Sequence, residues 1–457
     1  MSTLSYPKVS ETKQTLSREG LVTVLLGVSI VLVIMNTMMF NLALPFVSSD
    51  FGVSAASVSW IVTGYSIVFA ISSITYSRLS DFVPIRRLFI IGLISLGAAS
   101  VAGFFSNSFV PLLASRILQA SGAGAIPALS LVLITRYVPL ERRGKATATV
   151  MSAASLGLGL GPVAGGAIVE YLGWHYLFIV TAVTLILIPF FSALVPKESP
   201  SEGSFDTAGA LFAGVGTTGL LLFLTNQSWA ALAVGLAALV LFVFRIRRAA
   251  DPFVQPALFL NRSYLTLGAV GIASYLCSFA TLFLMPQILV HQFGLSASVS
   301  GLIIFPGSLL AMLISRRVGK IIDRYGNESL IRYVPLLLLT SVVLFALFAG
   351  SSHIAVMFIY MLMSVSFTCL MSSISNEMSR ILPKPQIGSG MGLFQLLQFF
   401  SGAFGVAATA SALVWQKQLP LTAAYGNIYW GLTIVVLASI GCSYLYRRYA
   451  RSTQLSA

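Results

Sequence analysis

"FGVSAASVSW" runs from Phe51 to Trp60, and "FGLSASVSGL" runs from Phe293 to Leu302. The two begin 242 positions apart, and each follows a long apolar run and opens the next one. The same offset carries Ser77-Arg78-Leu79-Ser80-Asp81 onto Gly319-Lys320-Ile321-Ile322-Asp323. Two matches at one offset read as an internal duplication. Spans 1 to 6 are then the parallel repeat of spans 9 to 14, an arrangement that forms a substrate site between two halves near the bilayer midplane.

The runs that flank these motifs are long enough to cross a membrane. The chain has 457 residues, 57% hydrophobic and 9% charged, with a mean hydropathy of +0.92, whereas soluble domains carry roughly 25% charged residues. A crossing helix needs about 20 apolar residues, and fourteen such stretches can be read, the first centred near Leu32 and the last near Val435. A membrane barrel would give shorter alternating segments. The expected class is therefore an all-α polytopic membrane protein of fourteen helices, in two six-helix bundles with an inserted pair.

The expected boundaries are a cytoplasmic amino-terminal segment over 1–19, a first bundle over 20–195 and a linker over 196–206. The inserted pair, spans 7 and 8, occupies 207–246 and reads as a peripheral hairpin; a second linker follows over 247–263, then a second bundle over 264–446 and a tail over 447–457. The first apolar run continues for about 25 residues, longer than the 7 to 15 of a signal-peptide core, so it is expected to stay in the mature protein.

The formal charge of +14 raises the question of nucleic acid, for which a basic patch with interleaved aromatics would be needed. The distribution answers otherwise. With the amino terminus inside, about 25 of the 27 basic residues fall on the cytoplasmic side, leaving Lys417 outside and Arg116 within the membrane, as the positive-inside rule requires. Both termini are then cytoplasmic and the bilayer, not nucleic acid, is the partner. Cys277, Cys369 and Cys442 lie in separate apolar spans without ligand spacing, and read as small packing residues. No nucleophile with a base, phosphate loop or metal cluster is found, so no enzyme, metal or cofactor is expected.

The charges of "SRLSDFVPIRR", residues 77–87, sit in a greasy neighbourhood. Asp81, at the end of span 2, can accept hydrogen bonds from Arg86 and Arg87 and from a helix amino terminus in the other half. Asp323 repeats the position in the second half. Span 5 holds "GLGLGPVAGG", residues 157–166, whose Gly157, Gly159, Gly161, Gly165 and Gly166 let another helix pack closely while Pro162 lets the helix bend.

These stretches resemble the major facilitator superfamily, within it the fourteen-span drug:proton antiporters, and in that group the Gram-positive tetracycline efflux proteins. "SRLSDFVPIRR" keeps Leu79, Asp81, Arg86 and Arg87 of that group's loop between spans 2 and 3, with Ser77 and Pro84 in place of two glycines. Span 4 carries Arg116-Ile117-Leu118-Gln119-Ala120, span 5 carries the complete antiporter signature, and "NLALP", Asn41 to Pro45, matches the end of span 1. The resemblance implies that Asp81 latches the halves by docking at "GSGMG" from Gly388, and that Gly157, Gly161, Pro162 and Gly165 belong to a seal at the extracellular end. It also implies a bacterial plasma-membrane exporter of drug-like amphiphiles, tetracycline-like, working by alternating access with protons as coupling ion.

Thirteen acids are present and none falls at the midplane; where the resembling exporters carry acids, this chain has Thr37, Leu158 and Gly402. His175, His291 and His353 all fall at outer loops. Protons would need another route, for instance Glu170 or Asp50 at the outer mouth. Two alternatives stand beside the antiporter: an uncoupled or potential-driven facilitator of a small organic solute, and a non-transporting membrane partner derived from a transporter. The candidate substrate or coupling residues are Asn36, Thr37, Asn41, Tyr65, Arg116, Gln119, Gln287, Gln395 and Gln398. Amides and hydroxyls among many Phe and Met suit an amphiphilic, partly aromatic small molecule. Arg116, costly inside a membrane, must find carbonyls, water or an anionic ligand.

Overall fold

In the computed structural model, which describes residues 18–80, 83–200, 206–249, 252–254, 256–382 and 387–455, the two repeated motifs fold alike. Gly52 closes the first helix at φ +62° and Gly294 occupies the matching place at φ +64°. Two residues on, Ser54 accepts the N–H of Ser57 at 3.2 Å and Ser296 accepts that of Val299 at 3.4 Å. A left-handed glycine ends one helix and a serine cap starts the next.

Fourteen helices result among the described residues. They are α1 (Glu19–Phe51), α2 (Ala55–Leu79), α3 (Ile85–Phe104), α4 (Phe109–Ala123, running on through Ala125–Tyr137), α5 (Leu140–Tyr171) and α6 (Tyr176–Ala182, continued to Leu194). The inserted pair is α7 (Thr207–Asn226) and α8 (Trp229–Arg248). The second half comprises α9 (Arg262–Gln287), α10 (Ala297–Tyr325), α11 (Glu328–Phe348), α12 (His353–Ile381), α13 (Ile387–Trp415) and α14 (Leu421–Leu455). Thirteen are long and apolar enough to span a bilayer as they stand, and α5 adds the apolar stretch Leu156–Tyr171. No strand occurs among the described residues.

The halves meet along two seams, α5 with α10 and α2 with α13. The duplication pairs α2 with α10 and α5 with α13, so exchanging the halves turns one seam into the other. The α7–α8 hairpin lies outside this core. Its α7 side packs on α2 and α13, where Trp60 Nε1 donates to Thr225 Oγ1 at 3.0 Å and Ser411 Oγ to the Leu224 carbonyl at 3.1 Å. Val234, Val240, Leu241 and Phe244 of α8 are exposed on its outer face.

All described lysines and arginines except Arg116 and Lys417 lie at one end of the bundle, the basic end. Asp206 there caps α7 through Gly209 N–H at 3.0 Å, and also accepts Arg245 Nε at 2.8 Å and Phe253 N–H at 3.1 Å, tying the hairpin to the linker after it.

Candidate functional site

Arg116 is fully buried on α4. Its Cζ lies 3.8 Å from the Phe40 ring centroid and 4.2 Å from that of Tyr65, so the guanidinium is held between two rings. Nη1 donates to Asn36 Oδ1 at 3.2 Å and to Gln119 Oε1 at 2.7 Å. Helical spacing explains the set: Asn36 and Phe40 are four apart on α1, and Arg116 and Gln119 three apart on α4. Thr181 Oγ1 also donates to Asn36 Oδ1, at 2.9 Å, and Gln119 Nε2 donates to Ser100 Oγ at 2.7 Å. Asn36 Nδ2 and Thr37 Oγ1 each lie 3.4 Å from the Tyr65 hydroxyl. Among the described residues Arg116 Nε and Nη2 have no hydrogen-bond partner, and no carboxylate pairs with the guanidinium. Side-chain amide carbonyls therefore hold the charge together with two ring faces, the rings being partners that the sequence did not point to.

Beside this cluster a cavity of about 220 Å³ opens between α1, α2 and α5 of one half and α9, α10, α12 and α13 of the other. Thr37 and Tyr65 are shared by cluster and cavity. Six more rings line it, Phe69, Tyr275, Phe279, Tyr360, Phe367 and Phe399, with hydroxyls such as Ser66, Ser278, Ser308 and Ser364 and with aliphatic and methionine side chains filling the remainder. Phe399 bridges the halves, 4.9 Å from Phe69 and 5.8 Å from Tyr275. Tyr275 also meets Phe367 at 5.2 Å and Phe279 at 5.4 Å. Among the described residues no charged side chain lines the cavity. Of the positions where the resemblance places acids, Thr37 and Leu158 line it, and Gly402 packs against Phe279.

The glycines of α5 serve two faces. Gly157, Gly161 and Gly165 lie against Val31, Met38 and Met39 of α1, where a Cβ would collide with backbone or with Cβ atoms. Gly166 lies against the Ala297 carbonyl, and the Pro162 carbonyl against Gly301, which closes the seam with α10. At the end opposite the basic one, Glu170 Oε2 accepts the Ser298 N–H at 2.8 Å, crossing from one half to the other. Asp50 stays within its half, accepting Trp174 Nε1 at 2.7 Å.

Asp81 lies outside the described residues, and so does the side chain of Asp323, within α10. Arg86 donates to Ser192 on α6 at 2.7 Å, a contact inside its own half, and Arg87 is exposed. The sequence did not single out the carboxylates that organise the basic end. Glu198 accepts the Ile85 N–H, at the start of α3, at 2.7 Å, together with the Tyr137 hydroxyl of α4. In the second half Glu377 of α12 accepts Asn327 Nδ2, at the start of α11, at 2.6 Å, and the Tyr446 hydroxyl of α14 at 2.7 Å.

Asn36, Thr37, Tyr65, Arg116 and Gln119 thus come together. Asn41 turns back on its own helix toward the Thr37 and Met38 carbonyls. Gln398 donates to Met371 Sδ at 3.2 Å, and neither it nor Gln287 nor Gln395 lines the cavity. The aromatic wall was missed, although Tyr275 and Phe279, four apart, and Tyr360, Ser364 and Phe367, at spacings of four and three, each mark a single helix face.

Comparison with known proteins gives one answer. Among solved structures, a bacterial homologue of the human lysosomal transporter Spinster, inward-facing and occupied, superposes with a TM-score of 0.67 at 13% identity, over 93% of this chain and 96% of that one. A peptide-bound POT family transporter gives 0.69 at 14% identity, over 93% and 96%. Curated relatives include the riboflavin transporter RibZ of Clostridioides difficile, 25% identical over 87% of this chain and 88% of that protein. The multidrug resistance protein Stp of Mycobacterium tuberculosis is 26% identical over 85% and 74%. The profile of the Major Facilitator Superfamily matches residues 26–406, and with the duplicated helical halves and central cavity this places the chain in that superfamily as a membrane transporter.

Proposed function

We propose that this transporter exports amphiphilic, drug-like molecules across a bacterial plasma membrane by alternating access, with the basic end and both termini in the cytoplasm. The central cavity carries the reading: it lies between the halves, its wall is built from rings and hydroxyls, and such walls hold flat amphiphiles by stacking and a few directed hydrogen bonds. The likeness to a riboflavin transporter, RibZ, and to a multidrug resistance protein, Stp, supports an organic small-molecule substrate, tetracycline or riboflavin being the compounds to try. In this scheme the α5–α10 seam and Glu170 close the outer end, and Asp81 with Asp323 latches the cytoplasmic one.

The antiport reading uses protons as the coupling ion. A second reading, an uncoupled facilitator, is favoured by one observation: the charge of Arg116 has no carboxylate partner among the described residues, so no acid there is poised to exchange a proton with it. The test is uptake of tetracycline and of riboflavin into proteoliposomes, by counterflow and under an imposed pH gradient, with Asp81→Asn as the gating control. Uptake that follows the pH gradient supports antiport. Counterflow without a pH response selects the facilitator, and absence of both overturns the transport of either compound.

A further inference from the structure

On the reading that the central cavity holds the transported molecule, we infer that it takes a flat aromatic molecule without net positive charge, rejects flat aromatic cations, and owes that preference to Arg116. Phe69, Tyr275, Phe279 and Phe399 offer ring faces and edges from three helices around one space, the geometry that a planar ring system stacks into. Such a box would ordinarily attract cations, because ring faces are negative. The guanidinium of Arg116 reverses this.

It stands 4.2 Å from the ring of Tyr65, which itself lines the cavity. Its oxygen partners, Asn36 and Gln119, are neutral. The cavity has no carboxylate of its own. The field of Arg116 is therefore uncompensated across the site. At an effective dielectric of about 20, two like unit charges within about 10 Å repel enough to cost roughly tenfold or more in binding. A neutral molecule avoids that repulsion and keeps the stacking. An anion would feel attraction but would find only hydroxyls, since Arg116 is fully buried and outside the lining.

The test uses one ring with two charges: 9-(hydroxymethyl)anthracene, neutral, and 9-(aminomethyl)anthracene, a cation at pH 7. Equilibrium binding of each to the full-length protein in nanodiscs is measured against protein-free nanodiscs. The wild type should bind the neutral probe at least about tenfold more tightly than the cation. Arg116→Gln should shrink that ratio to about threefold or less. Asn36→Asp, which sets a carboxylate beside the guanidinium, should shrink it by a second route with the arginine kept. Phe399→Ala should weaken the neutral probe. Equal affinities in the wild type, or a ratio unchanged in both charge variants, overturn the inference. Tight binding and counterflow of the cation would also overturn it while leaving the transporter reading intact; no binding of either probe, with no transport of tetracycline or riboflavin, removes both.

Discussion

Glu170, one residue from the end of α5, accepts the backbone N–H of Ser298 in the first turn of α10 at 2.8 Å. A carboxylate from one half thus sits at a helix amino terminus of the other, where free N–H groups and the helix dipole favour an anion. The chemistry matches that expected of Asp81 at the opposite end. Glu170→Ala should raise the population open at this end by roughly two- to fivefold, with Glu170→Gln between it and the wild type. Electron spin distances between labels at Phe105 and Leu419, exposed in the two halves, would show it. An unchanged distance distribution would deny the latch.

The same seam makes a sharper demand on glycine. A Cβ on Gly301 would overlap the Pro162 carbonyl, and one on Gly166 the Ala297 carbonyl. Backbone cannot rotate away as a side chain can, so Gly301→Ala and Gly166→Ala should each keep the seam from closing and cut transport by about tenfold or more. Gly159 faces the same neighbour with its nearest contact, Ser308 Cβ, at 3.6 Å. Gly159→Ala should transport within about twofold of the wild type. Initial uptake rates in proteoliposomes separate the three.

Asp206 predicts how the inserted hairpin responds to acid. Burial pushes its carboxyl upward, but the hydrogen bonds from Arg245, Gly209 and Phe253 outweigh that and hold it below the usual aspartate range. A carboxyl depressed in the folded state contributes stability that is complete above the unfolded value, near 4, and lost as pH falls through the folded one. Asp206→Asn should cost about 1–2 kcal/mol at pH 7, the low end reflecting the half-exposed Arg245. Thermal unfolding in detergent should fall with pH below about 5 more steeply for the wild type than for the variant.

The legible part of this molecule was the part written locally. Gly52 with Ser54 and Gly294 with Ser296 declare turn and cap in three residues, and the repetition of that signal exposed the duplication. Arg116 declared itself by its cost in a membrane. Its partners did not: Asn36 lies 80 residues away, and the ring sandwich of Phe40 and Tyr65 depends on how α1, α2 and α4 pack. Glu170 could be placed at the outer mouth from sequence, but Ser298, 128 positions on, could not be matched to it. The rings of the cavity wall come from four helices, α2, α9, α12 and α13, and each contributes too few for any one segment to stand out.

Asn36 and Thr37 are neighbours with unequal duties. Asn36 Oδ1 accepts from both Arg116 and Thr181, at 3.2 and 2.9 Å, inside a fully buried cluster. Asn36→Leu would leave the guanidinium with Gln119 as its remaining oxygen, while Thr181 falls back on the Leu177 carbonyl of its own helix at 3.3 Å; the weakened support of a buried charge costs about 2–4 kcal/mol. Thr37 Oγ1 makes its inter-helix contact to Tyr65 at 3.4 Å and already donates to the Val33 carbonyl of its own helix at 3.1 Å. Thr37→Val removes little and should cost less than about 1 kcal/mol. Apparent unfolding midpoints in detergent should therefore drop clearly for Asn36→Leu and hardly for Thr37→Val. The reverse order would mean that Arg116 draws its support from somewhere other than the amide of α1.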